Sequence, residues 1–204
     1  DRKAKESLAA IARLWDKENR NISDFLQQGE HDLQTVVKNI EIRQGQSAGL
    51  LNLHEGGRIL GIEFYLDDRH MEFNKNIDLK IRWDNDKNPA VDCPLADFFG
   101  YAFGVPSMES LLLGARKQIR YCYFPMPFDR KADIQLVYRK SDFPLPAFAA
   151  KVKIYYTKNK RDSIREGRFY SCWKSNSLYK ESGPHVFLNT NGKGHYVGTL
   201  LQAR

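Results

Sequence analysis

Much of this chain alternates between apolar and polar side chains with a period of two. Leu60, Ile62, Phe64 and Leu66 alternate with Gly61, Glu63 and Tyr65. Ile77, Leu79, Ile81 and Trp83 alternate with Asp78, Lys80 and Arg82. Ile134, Leu136 and Tyr138 repeat the pattern, as do Val152, Ile154 and Tyr156 against Lys151 and Lys153. Such alternation predicts strands with one face buried and the other in water. Turn-forming residues separate the runs, among them Gln44-Gly45, Glu55-Gly56-Gly57, Asp67-Asp68, Asn85 to Pro89 and Asn191-Gly192. Many short strands with that punctuation predict a mainly β fold, an antiparallel jelly-roll β-sandwich.

The start of the chain follows a different period. Leu8, Ile11, Ala12 and Trp15 fall on one stripe of a helix within a helical stretch over 6–28. The pattern breaks around Asn19-Arg20-Asn21, and Ser23 is placed to cap a second short turn. The expected organisation is therefore a helical N-terminal arm over 1–30, a sandwich domain over 31–190, and a connecting segment over 191–204. Between Pro94 and Pro127 the chain is rich in Phe, Tyr, Gly and Pro, and Tyr101 to Arg116 reads as a long connection. Connections of that length in a sandwich commonly carry function or a subunit contact.

Composition narrows the classes. The 204 residues are 42% hydrophobic and 28% charged, ordinary for a globular chain able to bury a core. No apolar run is long enough to span a membrane as a helix. The first residues, Asp1 to Lys5, are charged and no apolar leader follows them. Either the protein is not exported or a leader has been removed, in which case a periplasmic or secreted location is expected. Cys93, Cys122 and Cys172 are too widely spaced for a metal motif and odd in number. They read as free thiols or as one disulfide with a spare thiol, and no cofactor is expected. Between residues 151 and 180, nine Lys or Arg face only Asp162 and Glu166, an excess equal to the net charge of +7. Lys158 to Asp162 reads as a solvated hairpin tip, so nucleic acid is not an expected partner.

Four pieces of the chain carry a resemblance. They are Leu79 to Asp84 followed by Pro89 to Gly100, then Tyr123 to Phe128, then Glu166 to Trp173, and finally Gly192 to Gly198. In order and spacing they are similar to a family once known as domain of unknown function 2961 and now as glycoside hydrolase family 172. The resemblance implies two tandem jelly rolls, assembled into trimers or hexamers. It also implies retaining cleavage of furanosides such as fructofuranosyl or arabinofuranosyl linkages. The family's two catalytic glutamates lie in pieces that follow the Gly-x-Gly-His segment, here at 192–195, and neither piece occurs among these residues. This chain is thus expected to be the first jelly roll, lacking the catalytic pair and silent alone. A non-catalytic carbohydrate-binding or assembly module is the alternative.

The residues themselves offer a few candidate contacts. Retaining hydrolysis needs two carboxyl groups about 5 Å apart. Asp84 and Asp86 read as a polar turn, while Asp97 sits among aromatics that can raise its pKa. Asp97 is read as a loop-fixing acceptor, as a substrate contact or as an acid. Sugars stack on rings while acids hold their hydroxyls, so Trp83, Asp84, Asp97, Phe98, Phe99 and Tyr101 are candidate substrate contacts. For Trp83 the alternation puts the ring on the buried face of its strand and favours core packing. His195, between glycines, is read as a structural hydrogen-bonding group or a substrate contact. No phosphate-binding glycine loop, nucleophile elbow or zinc-binding His-Glu-x-x-His occurs.

Overall fold

The structure is a computed structural model and describes residues 5–6, 32–66, 75–101, 103–104, 108–175 and 186–202. The expected helical arm, with Trp15, lies outside the described residues apart from 5–6.

Among the described residues from 32 onward, ten strands and a helical turn follow in order. They are β1 (Gln34–Ile42), β2 (Ser47–Leu53), β3 (Gly57–Leu66), β4 (Ile77–Trp83), β5 (Val91–Pro94), α1 (Leu95–Phe98), β6 (Leu113–Arg116), β7 (Ile119–Cys122), β8 (Met126–Phe128), β9 (Ala132–Tyr138) and β10 (Phe148–Thr157). One sheet runs β1-β10-β3-β7-β6 with β8 also on β3; the other runs β2-β9-β4-β5. Every strand pairing is antiparallel. The expected two-sheet antiparallel sandwich is therefore present. A single apolar cluster lies between the layers, with Ile62, Phe64, Leu79, Ile81, Trp83, Ile134, Leu136 and Ile154 among its members.

The period-two pattern maps directly onto β4 and β9, whose residues alternate between buried and half-buried along their whole length. In contrast, β3 is buried almost throughout, including Gly61 and Glu63 on its outer face. The cause is non-local: Tyr123, just past β7, and Tyr155 on β10 lie over that face of β3. A Cβ on Gly61 would come within 2.8 Å of the Tyr123 ring and 3.1 Å of the Tyr155 ring. Only glycine lets both rings pack this closely on the strand.

Two sequence expectations change. The connection from Tyr101 to Arg116 is shorter than it reads, because Leu113–Arg116 pairs with Ile119–Cys122 as a hairpin. Its turn places Lys117 at a φ of 47°, and strands of four residues leave little periodic signal. Lys158 to Asp162 is solvated as expected, with Arg161 alone half-buried, but no strand follows it to make a hairpin. The chain leaves β10 and is fastened back onto the end of the sandwich by its arginines, as described next.

Candidate functional site

Three clusters of polar side chains stand out. The first begins at the turn after β4. Asp84 and Asn85 have φ of 55° and 67°, and the Asp86 N–H donates to the Trp83 carbonyl at 2.9 Å. Asp and Asn tolerate this left-handed backbone better than other side chains with a Cβ. The turn aims the Asp84 carboxylate at the loop before β9. There it accepts from the backbone N–H of Asp129, Arg130 and Lys131 at 3.0, 2.6 and 3.1 Å.

Arg168 completes this cluster. Its guanidinium reaches Asp84 at 3.1 Å, Asp86 at 3.3 Å and Asp129 at 2.9 Å. Arg161 grips Asp129 through two bonds of 2.9 Å, and Arg58 grips Glu166 at 2.8 and 2.9 Å. Hydrogen bonds from Arg161 and Arg168 hold the Asp129 carboxyl down at a pKa of about 2. Arg58 likewise lowers Glu166. The cluster straps residues 158–171 across the end of the sandwich. Ser171 then forms a parallel bridge with Val91, its N–H donating to the Ala90 carbonyl at 2.9 Å.

The second cluster lies on the outer face of the larger sheet. Glu63 is fully buried, and its carboxyl oxygens accept from Tyr123 at 2.6 Å, Tyr65 at 2.7 Å and Tyr155 at 3.2 Å. Burial, then the neighbouring Glu63, pushes the Tyr123 phenol well above its ordinary pKa. Tyr121 stacks on Tyr123 with ring centroids 5.2 Å apart and donates to the Ser110 carbonyl.

The third cluster surrounds Asp97 on α1. Burial raises its carboxyl pKa, while Lys75 and the side chain of Trp173 pull it down. The Lys75 ammonium lies 3.9 Å from Oδ1, and it also sits over the Phe103 ring, 5.3 Å from the centroid. Asp97 Oδ2 is buried and finds no hydrogen-bond donor among the described residues. Phe103 and Trp173 are about half exposed, at 49% and 44%. Gln202 Nε2 donates to the Asp97 carbonyl at 3.3 Å.

The structure separates the residues that the sequence groups as candidate contacts. Trp83 has no exposed surface; it stacks on Phe128 with a centroid separation of 5.8 Å and donates to the Phe169 carbonyl at 2.8 Å. Asp84 holds the loop at 129–131. Phe98 is 7% exposed and Phe99 and Tyr101 are fully buried, with Phe99 edge-on to both Phe64 and Phe98. As placed, Trp83, Phe99 and Tyr101 are parts of the core and offer no surface to a sugar. Bulky rings beside a sheet face are drawn inward by their own apolar area, whatever their chemistry could do outside. Asp97 keeps one oxygen near the surface, and His195 is exposed in the C-terminal segment, far along the chain from the rest. Lys75, Phe103 and Trp173 were not candidates from the sequence. Trp173 lies inside one resemblance-bearing piece, but nothing about its neighbours marks it as an Asp97 partner.

Comparison with known families decides the relationship. The family model described as GH172 domain-like matches residues 32–149. This chain belongs to that family. The match runs from just before β1 into the start of β10, so the Arg168 strap and Trp173 lie outside it. No curated protein matches the chain. Among solved structures, the acid-stable capsid of Helicobacter pylori bacteriophage KHP30 matches at 6% identity and a TM-score of 0.32, covering 61% of this chain and 92% of that one. A structure of FlhE matches at 8% identity and a TM-score of 0.28, covering 62% and 96%. The infectious bursal disease virus Gx strain matches at 8% identity and a TM-score of 0.28, covering 61% of this chain and 31% of that one. Likenesses at that level say nothing of function.

Proposed function

We propose that this chain is the first jelly roll of a glycoside-hydrolase-like protein acting on furanosides, and that residues 1–204 hydrolyse nothing by themselves. Membership of the GH172 domain-like family is the observation that carries the reading. The geometry supports the silent half of it. A retaining enzyme needs a nucleophilic carboxylate and a carboxylic acid about 5 Å apart, both free to meet substrate. Among the described residues the most enclosed carboxyl groups already have partners. Asp84 is held by Arg168, Asp78 by Arg139 and Glu63 by tyrosines, and the more exposed Asp129 and Glu166 are held by arginines as well. Asp97, whose carboxyl pKa is raised by burial, lies beside the Lys75 ammonium.

The test is turnover of aryl arabinofuranosides and aryl fructofuranosides by material whose intact mass equals 204 residues. The expected rate equals the enzyme-free rate. Hydrolysis well above it, abolished by Asp97→Asn, would sink the proposal of silence and place the acid in this chain.

An assembly role has its own support. Val186, Phe187, Leu188, Tyr196, Val197 and Leu201 are each about half exposed or more. Apolar side chains gathered in one segment mark a surface built to be covered. Oligomerisation of this chain, or contact with a further domain, would cover these side chains. A strictly monomeric particle in light scattering at tens of micromolar would count against self-assembly.

A further inference from the structure

We propose that the open side of β1 pairs with the same strand of a second copy, antiparallel about a twofold axis at Val37, joining the two larger sheets into one. The proposal uses neither the furanoside reading nor the apolar side chains of 186–201, and it stands apart from both.

β1 lies at one end of its sheet, and among the described residues nothing pairs with its other side. It runs for nine residues, Gln34–Ile42, in unbroken register with β10. Folds commonly blunt such a strand with a bulge, a proline, a charge or a covering segment. Here β2 and β6, at the ends of their own sheets, are both blunted. The chain folds back along β6, where the Ser110 N–H donates to the Leu113 carbonyl at 3.1 Å and the Ala115 N–H to the Met108 carbonyl at 2.9 Å. β2 shifts register between Gly49 and Leu51, and such a bulge bends a strand away from straight pairing. β1 has neither a shift nor a proline. Its one lysine is turned aside, the Lys38 ammonium donating to the Gly49 carbonyl at 2.8 Å.

The side chains of β1 select the partner and the register. Val36, Ile40 and Ile42 pack on the core, while Thr35, Val37, Asn39 and Glu41 are exposed. Residues opposite each other share a face, so both apolar faces stay inward only where even positions meet even and odd meet odd. An axis at Lys38 would oppose it to the partner's Lys38, and like charges there repel. An axis at Asn39 would set Val37 against the partner's Glu41. An axis at Val37 sets it against the partner's Val37, Thr35 against the partner's Asn39 and Val36 against the partner's Lys38. No like charges meet in that register, and Val37, 50% exposed in the single chain, is covered. Any extended strand satisfies the same backbone groups; the self-complementary side chains assign the place to a second copy.

The test is sedimentation velocity of the 204-residue chain from about 5 to 500 µM, the range suited to a small interface. A monomer–dimer equilibrium is expected, weakened about tenfold or more by Val37→Lys, which opposes like charges at the axis and removes the apolar pair. A cross-link gives a second measurement that needs no loss of binding. In a Cys172→Ser background, which removes the exposed thiol, Val37→Cys should form an intermolecular disulfide on mild oxidation. Asn39→Cys should not, because it stands opposite the partner's Thr35 and out of disulfide reach of its own counterpart. A chain monomeric throughout overturns the proposal, and its binding of a synthetic 34–42 peptide would then assign β1 to an extended segment instead. A dimer that Val37→Lys leaves unchanged, or that cross-links equally at positions 37 and 39, also overturns it by putting the contact elsewhere.

Discussion

Replacing Arg168 with alanine should loosen one end of the sandwich by a predictable amount. The guanidinium makes three charge-assisted contacts, and they differ in value because their partners differ in exposure. Asp86 is 43% exposed, so that contact contributes little. Asp129 is 31% exposed and keeps both bonds from Arg161 after the substitution. The Asp84 side chain is only 2% exposed, and it loses its cationic partner among the described residues while keeping three backbone donors. Removing one partner of a fully buried pair costs about 3–5 kcal/mol, and the remaining N–H groups reduce that figure here. We expect a loss of about 2–3 kcal/mol, which for a chain of this size lowers Tm by roughly 5–10 °C. Urea and thermal denaturation followed by near-ultraviolet circular dichroism measure it, with Trp83 as a reporter at the strap. The pH dependence has a definite sign. Asp129 titrates lower in the folded chain than the ordinary ~3.9 of a free Asp. Its stabilisation is therefore complete above the ordinary value and is lost as pH falls through about 2. Arg168→Ala should shrink that acid-side loss. A variant that melts within about a degree of the parent, with the same acid profile, would show that the strap is no more than solvated surface.

Two further outcomes follow from packing. Gly61→Ala should destabilise the chain by about 1–3 kcal/mol in urea denaturation, because its new methyl meets two tyrosine rings that are already tied to Glu63. A smaller effect would mean the rings can slide along β3. Among the three cysteines, burial pushes the Cys122 thiol up to about 12 and raises Cys93 as well, while Cys172 is exposed. An aromatic disulfide reagent at pH 8 should label one thiol in the folded chain and all three after denaturation, since only the thiolate reacts. Rapid labelling of two or more without denaturant would contradict the burial.

How much of this could be read beforehand depends on sequence distance. β4 and β9 announce themselves because each buries one face, so their own residues record the environment. The outer face of β3 is different: Glu63 reads as a wet position and is dry only because tyrosines 60 and 92 positions further on fold over it. The charge-rich run after β10 shows the same limit. Its composition gives the number of arginines, while the value of Arg161 and Arg168 lies in carboxylates 32 to 84 positions away. The aromatic content between Pro94 and Tyr101 offered rings as candidate contacts, and Phe98, Phe99 and Tyr101 are instead buried. A strand or helical turn decides which side chain turns inward, and composition carries no phase.

The bridge between Val91 and Ser171 has one more effect. β5 is the outermost strand of its sheet, and an outermost strand offers a row of unpaired backbone groups to any passing extended chain. By running the strap past this strand, the protein occupies the Val91 end of that row with its own backbone. A foreign strand pairing at Val91 would first have to displace Ser171, and the Arg168 contacts hold the chain three residues before it.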